Sequence, residues 1–448
     1  MPVEVLLAVL VLPAEAIVKA LLSIWGFLLG LLHGDLLQWP SWITLSPRWT
    51  LTRRSLPAYI KLQKVTSKIF NDHTLTDYTL EQRAYAHLEI LERPEFAKWN
   101  HPRWLAPMAR ARMIKVGLLE ELVSAVTARR FFHAMLQTAD EFRLDRGRRY
   151  ACAEVCACVR LAKAKDPFCP SRNVALELHS LLFTVWFWAM RFPFHSIGPD
   201  THLLPVSPDN YAWARERMRP VMRRDRYTCF MTGTVDRDST WVRRVSARTV
   251  GRLYSFPIFI RSVTDNPSDR QLGPDFAGTR DAAVVDPASQ YQTLHFFRTF
   301  GEIARGGAQV PNIDMPQNCL LLKYAAGAAF RQLQWTLLPT PIPNTYQIRT
   351  YTLPDGSRAS GTAHLRDYVT FVEPEDADDD HGGGGRSNLK TWREGTGTGP
   401  GTGTLPDPNL LRAHAIFANI VHLSGLGFMY DPEQQIRDLR PMFSRDPL

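Results

Sequence analysis

The chain has 448 residues, 53 Lys and Arg against 44 Asp and Glu, a net charge of +9 and an isoelectric point near 9.3. A hydrophobic share of 45% excludes a disordered or low-complexity chain, and the length allows two or three domains with cores of their own. Six cysteines exclude a disulfide-built secreted scaffold and point to a reducing, intracellular setting, in nucleus or cytoplasm or at a membrane. The positive balance attracts polyanions such as nucleic acid or an anionic membrane face, and equally describes a basic soluble surface.

Val5 to Leu32 is almost wholly apolar, interrupted by Pro13, Ser23, Gly26, Gly30 and the pair Glu15 and Lys19. Spaced four apart, that pair neutralises itself on a helix, so the stretch reads either as a membrane anchor over residues 5–32 or as two buried helices. The first residues lack the positive charge of a cleavable signal peptide. Arg48, Arg53, Arg54 and Lys61 would make the following side cytoplasmic if the stretch spans.

From Leu80 to Leu161 the period is helical, carried by Leu88, Leu91 and the run Met113 to Val126, with Glu120, Glu121, Arg129 and Arg130 between. Asp77 or Thr79 is the expected cap, and Pro94, Pro102 and Pro107 break the pattern into pieces. Arg143, Arg146, Arg148 and Arg149 form a basic knot, either a solvated helix end or a phosphate contact. Cys152, Cys156 and Cys158 splay over different helix faces, with Cys169 further on, which favours buried packing over zinc. Glu177 to Phe192 is greasy on every side but too short to span a membrane, and so belongs in a core. Pro193, Pro199, Pro205 and Pro208 then mark a domain boundary.

A helix from Asn210 to Arg224 carries Arg215, Arg217, Arg219, Arg223 and Arg224, and Arg243, Arg244, Arg248 and Arg252 follow. These nine arginines, with Trp213, Tyr227 and Trp241 among them, are the strongest nucleic-acid signal in the chain; the alternative is that they only solubilise it. Thr264 to Ser289 is rich in Asp, Pro and Gly and reads as an irregular insertion. Tyr291 to Phe300 is an amphipathic helix bearing His295, and Tyr346 to Tyr351 and Tyr368 to Val372 read as short strands. Glu373 to Asp380 is acidic and Gly382 to Thr404 is Gly- and Thr-rich, so residues 373–404 are expected to be a disordered linker or an acidic arm that competes for the arginines. The last helix, Leu410 to Leu423, holds His414 and His422. They lie about 12 Å apart along its axis, too far for one metal ion, and read as packing or polar-surface residues.

Arg223-Arg224-Asp225-Arg226-Tyr227-Thr228-Cys229-Phe230-Met231-Thr232-Gly233 follows the pattern Arg-Asp-x-Tyr-x-Cys-x-x-Thr-Gly. In order behind it come Asn318-Cys319-Leu320-Leu321-Leu322 with Phe330 and Trp335, then Pro343-Asn344-Thr345-Tyr346, Leu405-Pro406-Asp407-Pro408, Ala413-His414-Ala415 and His422-Leu423-Ser424-Gly425. Together these resemble the fungal HNH endonuclease-like domain over roughly the second half of the chain, with the stretch at Asn318 matching its closing helix. Leu294, Phe297, Phe300 and Gly301 loosely resemble a further helical segment of that family. Cys229 and Cys319, inside the motifs, read as core residues.

The resemblance implies an α+β fold: a helical N-terminal half, then a small ββα-metal core of HNH type with a C-terminal helical extension. The expected division is 1–40 as the apolar segment, 41–204 as a helical region, 205–372 as the nuclease-like domain, 373–404 as the insertion, and 405–448 as the final helix and tail. An HNH site needs one histidine on the hairpin as general base and another on the helix to hold a divalent metal. Here no histidine occurs between His202 and His295, or between His295 and His364. Pro257, leading Pro257-Ile258-Phe259-Ile260-Arg261-Ser262, stands where the base belongs, and Gly327 stands where the helix histidine belongs, with Arg331 replacing an acid. Asn318 alone is kept. The expectation is therefore a degenerate HNH-like protein that binds nucleic acid through its arginines without cleaving it and needs no cofactor. The alternatives are a residual nuclease, in which a divalent metal is held by Asn318 with His295 or Asp314, and a membrane-associated interaction protein. The partner and the oligomeric state are not legible.

Overall fold

Apolar residues returning every three or four positions wind the first half of the chain into helices. The computed structural model describes residues 56–102, 105, 124–165, 170–191, 193–194, 219–237, 249–259, 287–303, 315–351, 367–372 and 405–427. The helices of this half are α1 (Leu56–Phe70), α2 (Asp77–Leu88), α3 (Ala128–Glu141), α4 (Asp145–Lys165), α5 (Pro170–Ser180) and α6 (Phe187–Arg191), the last entered through a π-type turn at Leu181–Trp186. α4 is the axis against which α1, α2, α3 and α5 pack. Its inward residues include Ala151, Ala153, Ala157, Cys158 and Ala162, small enough to let the neighbouring helices approach closely.

Thr76, not Asp77 or Thr79, caps α2, its hydroxyl accepting from the Thr79 amide at 3.1 Å. The proline at 94 opens a short 3-10 turn, Pro94–Trp99, as the breakers imply. The basic knot differs from expectation, because its arginines are spent inside the protein. Arg149 donates to the carbonyls of Phe70, Asp72 and Leu75 and pairs with Asp77, and Arg148 pairs with Glu81 and Asp140. The greasy stretch is core: Leu181, Leu182, Phe183, Trp186, Phe187 and Met190 are buried. Cys152 and Cys158 are buried free thiols, and Cys156, also free, is half-buried. Burial pushes the Cys152 thiol up, and that of Cys156 up to about 11.

The second half mixes strands and helices, so the described chain is α+β. β1 (Val235–Asp236) pairs in parallel with β2 (Val250–Gly251), and β3 (Leu253–Pro257) pairs antiparallel with β4 (Cys319–Lys323). β5 (Trp335–Pro339), β6 (Thr345–Thr350) and β7 (Tyr368–Thr370) form an antiparallel sheet in that order. Helices α7 (Pro287–Thr299), α8 (Tyr324–Arg331) and α9 (Pro408–Leu423) complete it. The Asn318 stretch expected as the closing helix is β4, and the helix follows it. Leu320, Leu321 and Leu322 are all fully buried, and a short run buried on both faces suits a strand. β6 and β7 fall where strands are expected, whereas β5 gives no alternating signal because four of its five residues are buried.

No division falls at the proline-rich stretch near 204. The chain separates at Thr52, and Arg53–Leu448 is one compact unit. α9 lies against β5 on one side and α3 on the other, and α7 packs on α6. Phe194, Phe259, Phe297 and Phe417, from both sides of the expected boundary, share one aromatic cluster. Neither half can exclude water from those rings alone. Residues 5–32, 113–123, 210–218, 264–286 and 373–404, on which several of the expectations fall, lie outside the described residues, as does Cys169. Among the described residues no helix is long and apolar enough to cross a membrane.

Candidate functional site

β3 and β4 form a hairpin-like pair whose register runs from Leu253 opposite Lys323 to Pro257 opposite Cys319, and α8 leaves β4 directly to pack over both strands. The long connection between the strands closes at Asn318, which is fully buried on a 3-10 turn at Pro316–Asn318. Its carbonyl accepts from the Ile258 amide at 2.7 Å, so pairing continues one residue beyond Pro257. Its side chain then extends the ladder: Oδ1 accepts from the Phe259 amide and Nδ2 donates to the Phe259 carbonyl, both at 2.8 Å. Both ends of the amide are occupied by backbone.

The two positions where histidine is expected carry no donor. Pro257 is half-buried at the end of β3. Gly327 lies under the Phe256 ring, where a Cβ would come within 2.0 Å of the ring carbons. Any side chain at Gly327 requires the Phe256 ring to move. With Oδ1 of Asn318 engaged and Pro257 and Gly327 bare, the described residues at this end do not fit a divalent cation, whose ligands are oxygens or imidazoles. Among the described residues no three His, Cys, Asp or Glu side chains converge as a metal site.

His295 does not reach Asn318. It is set among Tyr59, Tyr150 and Tyr291, with Nδ1 at 3.3 Å from the Tyr59 hydroxyl, and burial pushes its pKa down to about 4. Asp314, its proposed companion, lies outside the described residues. His414 and His422 are packing residues. His414 stacks on Phe330 at 3.8 Å, donates from Nε2 to the Phe330 carbonyl and accepts at Nδ1 from the Thr336 hydroxyl. His422 lies parallel to Tyr351 at 4.0 Å and donates to the Leu333 carbonyl. Burial holds both rings neutral, lowering His414 to about 3 and His422 to about 4 against the opposing pull of those carbonyls.

The expected arginines separate. Arg215, Arg217, Arg243, Arg244 and Arg248 lie outside the described residues, and Arg219, Arg223 and Arg252 are exposed. Arg224 departs from its expected role as a nucleic-acid contact. Its side chain is wholly buried in a bidentate pair with Asp225, at 2.7 and 2.8 Å, and also donates to the carbonyls of Pro316 and Cys319. Asp225 accepts in turn from the Leu321 amide. Burial raises the Asp225 carboxyl, opposed by the guanidinium beside it. The Arg-Asp dipeptide of the motif is thus the bolt that fastens its turn to β4. Arg226 and Arg237, outside the expected set, are exposed. Cys229 is buried as expected, and Cys319 only half so.

No known protein family matches the chain, and neither does any curated protein or solved structure.

Proposed function

We propose that this chain is a degenerate HNH-type nuclease scaffold that binds nucleic acid through exposed arginines and does not cut it. The observation that carries the reading is the succession strand, strand, helix with the Asn318 amide closed on the Phe259 backbone, while Pro257 and Gly327 bring no imidazole to either side of it. A hydrolytic site of that kind needs a base for the attacking water and ligands for a cation on the scissile phosphate. A scaffold that has lost these keeps whatever surface contacts the phosphates.

The test pairs a cleavage assay with a binding assay on the full chain. Supercoiled plasmid incubated with magnesium or manganese is expected to stay intact, while labelled DNA binds with an affinity that falls steeply as salt rises. Metal-stimulated nicking that disappears in Asn318→Ala would establish the residual nuclease instead. Binding indifferent to salt would remove the electrostatic basis of the reading.

A further inference from the structure

We infer that the nucleic-acid backbone lies across a row of three arginines, Arg226, Arg237 and Arg252, which strand pairing sets side by side. This rests on the reading of the chain as a nucleic-acid-binding protein and locates the contact. Thr228 bridges Val235, and the Asp236 amide donates to the Tyr227 carbonyl at 2.8 Å, so Arg226 and Arg237 are the next residues out on two neighbouring segments. Asp236 lies opposite Gly251 in β2, and the Arg237 amide donates to the Gly251 carbonyl at 2.8 Å, which brings Arg237 beside Arg252. Lys323, opposite Leu253, shares the face of that residue and stands outside the row. With neighbouring strands about 4.8 Å apart, the row is about 10 Å long.

All three residues are exposed. None of the ion pairs among the described residues uses Arg226 or Arg237. The acids beside them point inward: Asp236 is fully buried and accepts from the Leu253 amide at 3.0 Å, and Asp225 is bound by Arg224. Like charges directly opposite each other repel, so Arg226 across from Arg237 favours an anion between them. The backbone under the row is also held in a costly shape, with Arg226 and Tyr227 at φ 50° and 54°. Tyr227 is kept there by its amide donating to the Met222 carbonyl and by its carbonyl accepting from Asp236. Because the row sits at the Lys323 end of the hairpin, about 13 Å from Pro257 by strand rise, gripping phosphates there needs none of the groups missing at the other end.

The experiment measures binding of a fluorescein-labelled duplex of mixed sequence by anisotropy across a salt series. Wild type is compared with Arg226→Gln/Arg237→Gln and with the charge-matched control Arg160→Gln/Arg172→Gln, whose residues are exposed on α4 and α5. The row variant is expected to lower the slope of log K against log salt by about two and to weaken binding about ten-fold at low salt, with the control unchanged. Equal losses in both variants would overturn the row while leaving nucleic-acid binding intact. Wild type that binds anionic vesicles but no duplex or single strand would overturn the row together with the functional reading.

Discussion

Glu154 in the helical half and Asn318 in the hairpin–helix unit are both fully buried, and they are satisfied in opposite ways. Glu154 on α4 accepts from the Gln63 amide of α1 and from the Trp186 indole, both at 2.7 Å, and Tyr150 donates to the far end of the same Gln63 at 3.0 Å. Asn318 is held by the backbone of Phe259, through both ends of its amide. A carboxylate held by side chains demands a particular glutamine and a particular tryptophan, so the helices it joins cannot change those residues independently. An amide held by peptide groups asks nothing of the side chains on the gripped segment. A proline at 257 therefore leaves the clamp on the Phe259 backbone intact.

Acidification should produce the largest effect, and it acts on both regions. His295, His414 and His422 are held below the ordinary imidazole value near 6.5, at about 4, 3 and 4, so the unfolded chain binds more protons than the folded one in that interval. Stability is complete above pH 6.5 and declines as pH falls toward 4 and then 3. Between pH 7 and 5 the loss is about 2 kcal/mol for each ring. Urea unfolding midpoints across that range should show it, and a flat profile would mean that the three rings are not buried as described.

Breaking the motif's bolt comes next. Arg224→Met leaves Asp225 buried without its guanidinium and should cost about 3–5 kcal/mol. Asp225→Asn in the same background should recover part of that loss, a recovery that mere loss of packing at Arg224 would not give. In the helical half, Glu154→Leu orphans the Gln63 amide and the Trp186 indole, at about 2–4 kcal/mol. Asn318→Ala leaves the Phe259 amide and carbonyl unpaired and should cost about 2–3 kcal/mol. Hydrogen exchange would sharpen the contrast between these two variants. Glu154→Leu should raise exchange in α1 and α4 together, whereas Asn318→Ala should raise it at Ile258 and Phe259. Uniform exchange in both would erase the distinction between the two kinds of clamp.

Much of the fold was legible because it follows local patterns. The helical period through α4, the break at Pro94, the all-apolar stretch into α6 and the last helix sit where residue spacing puts them, while the cap of α2 falls one residue before the first expected position, at Thr76. β4 and β5 were not, because a strand buried on both faces shows no alternation. The proline-rich stretch read as a boundary because local composition is blind to an aromatic cluster that closes across it.

At the site, the sequence by itself determined that no histidine occurs between His202 and His295 or between His295 and His364, the two stretches that hold Pro257 and Gly327. Tertiary structure alone decided what the remaining groups do. It turned Arg224 inward onto Asp225, gave the Asn318 amide to the Phe259 backbone, and brought Arg237 beside Arg252. Composition reports the charge a chain carries, but strand register and burial set which charges face water and which stand next to each other.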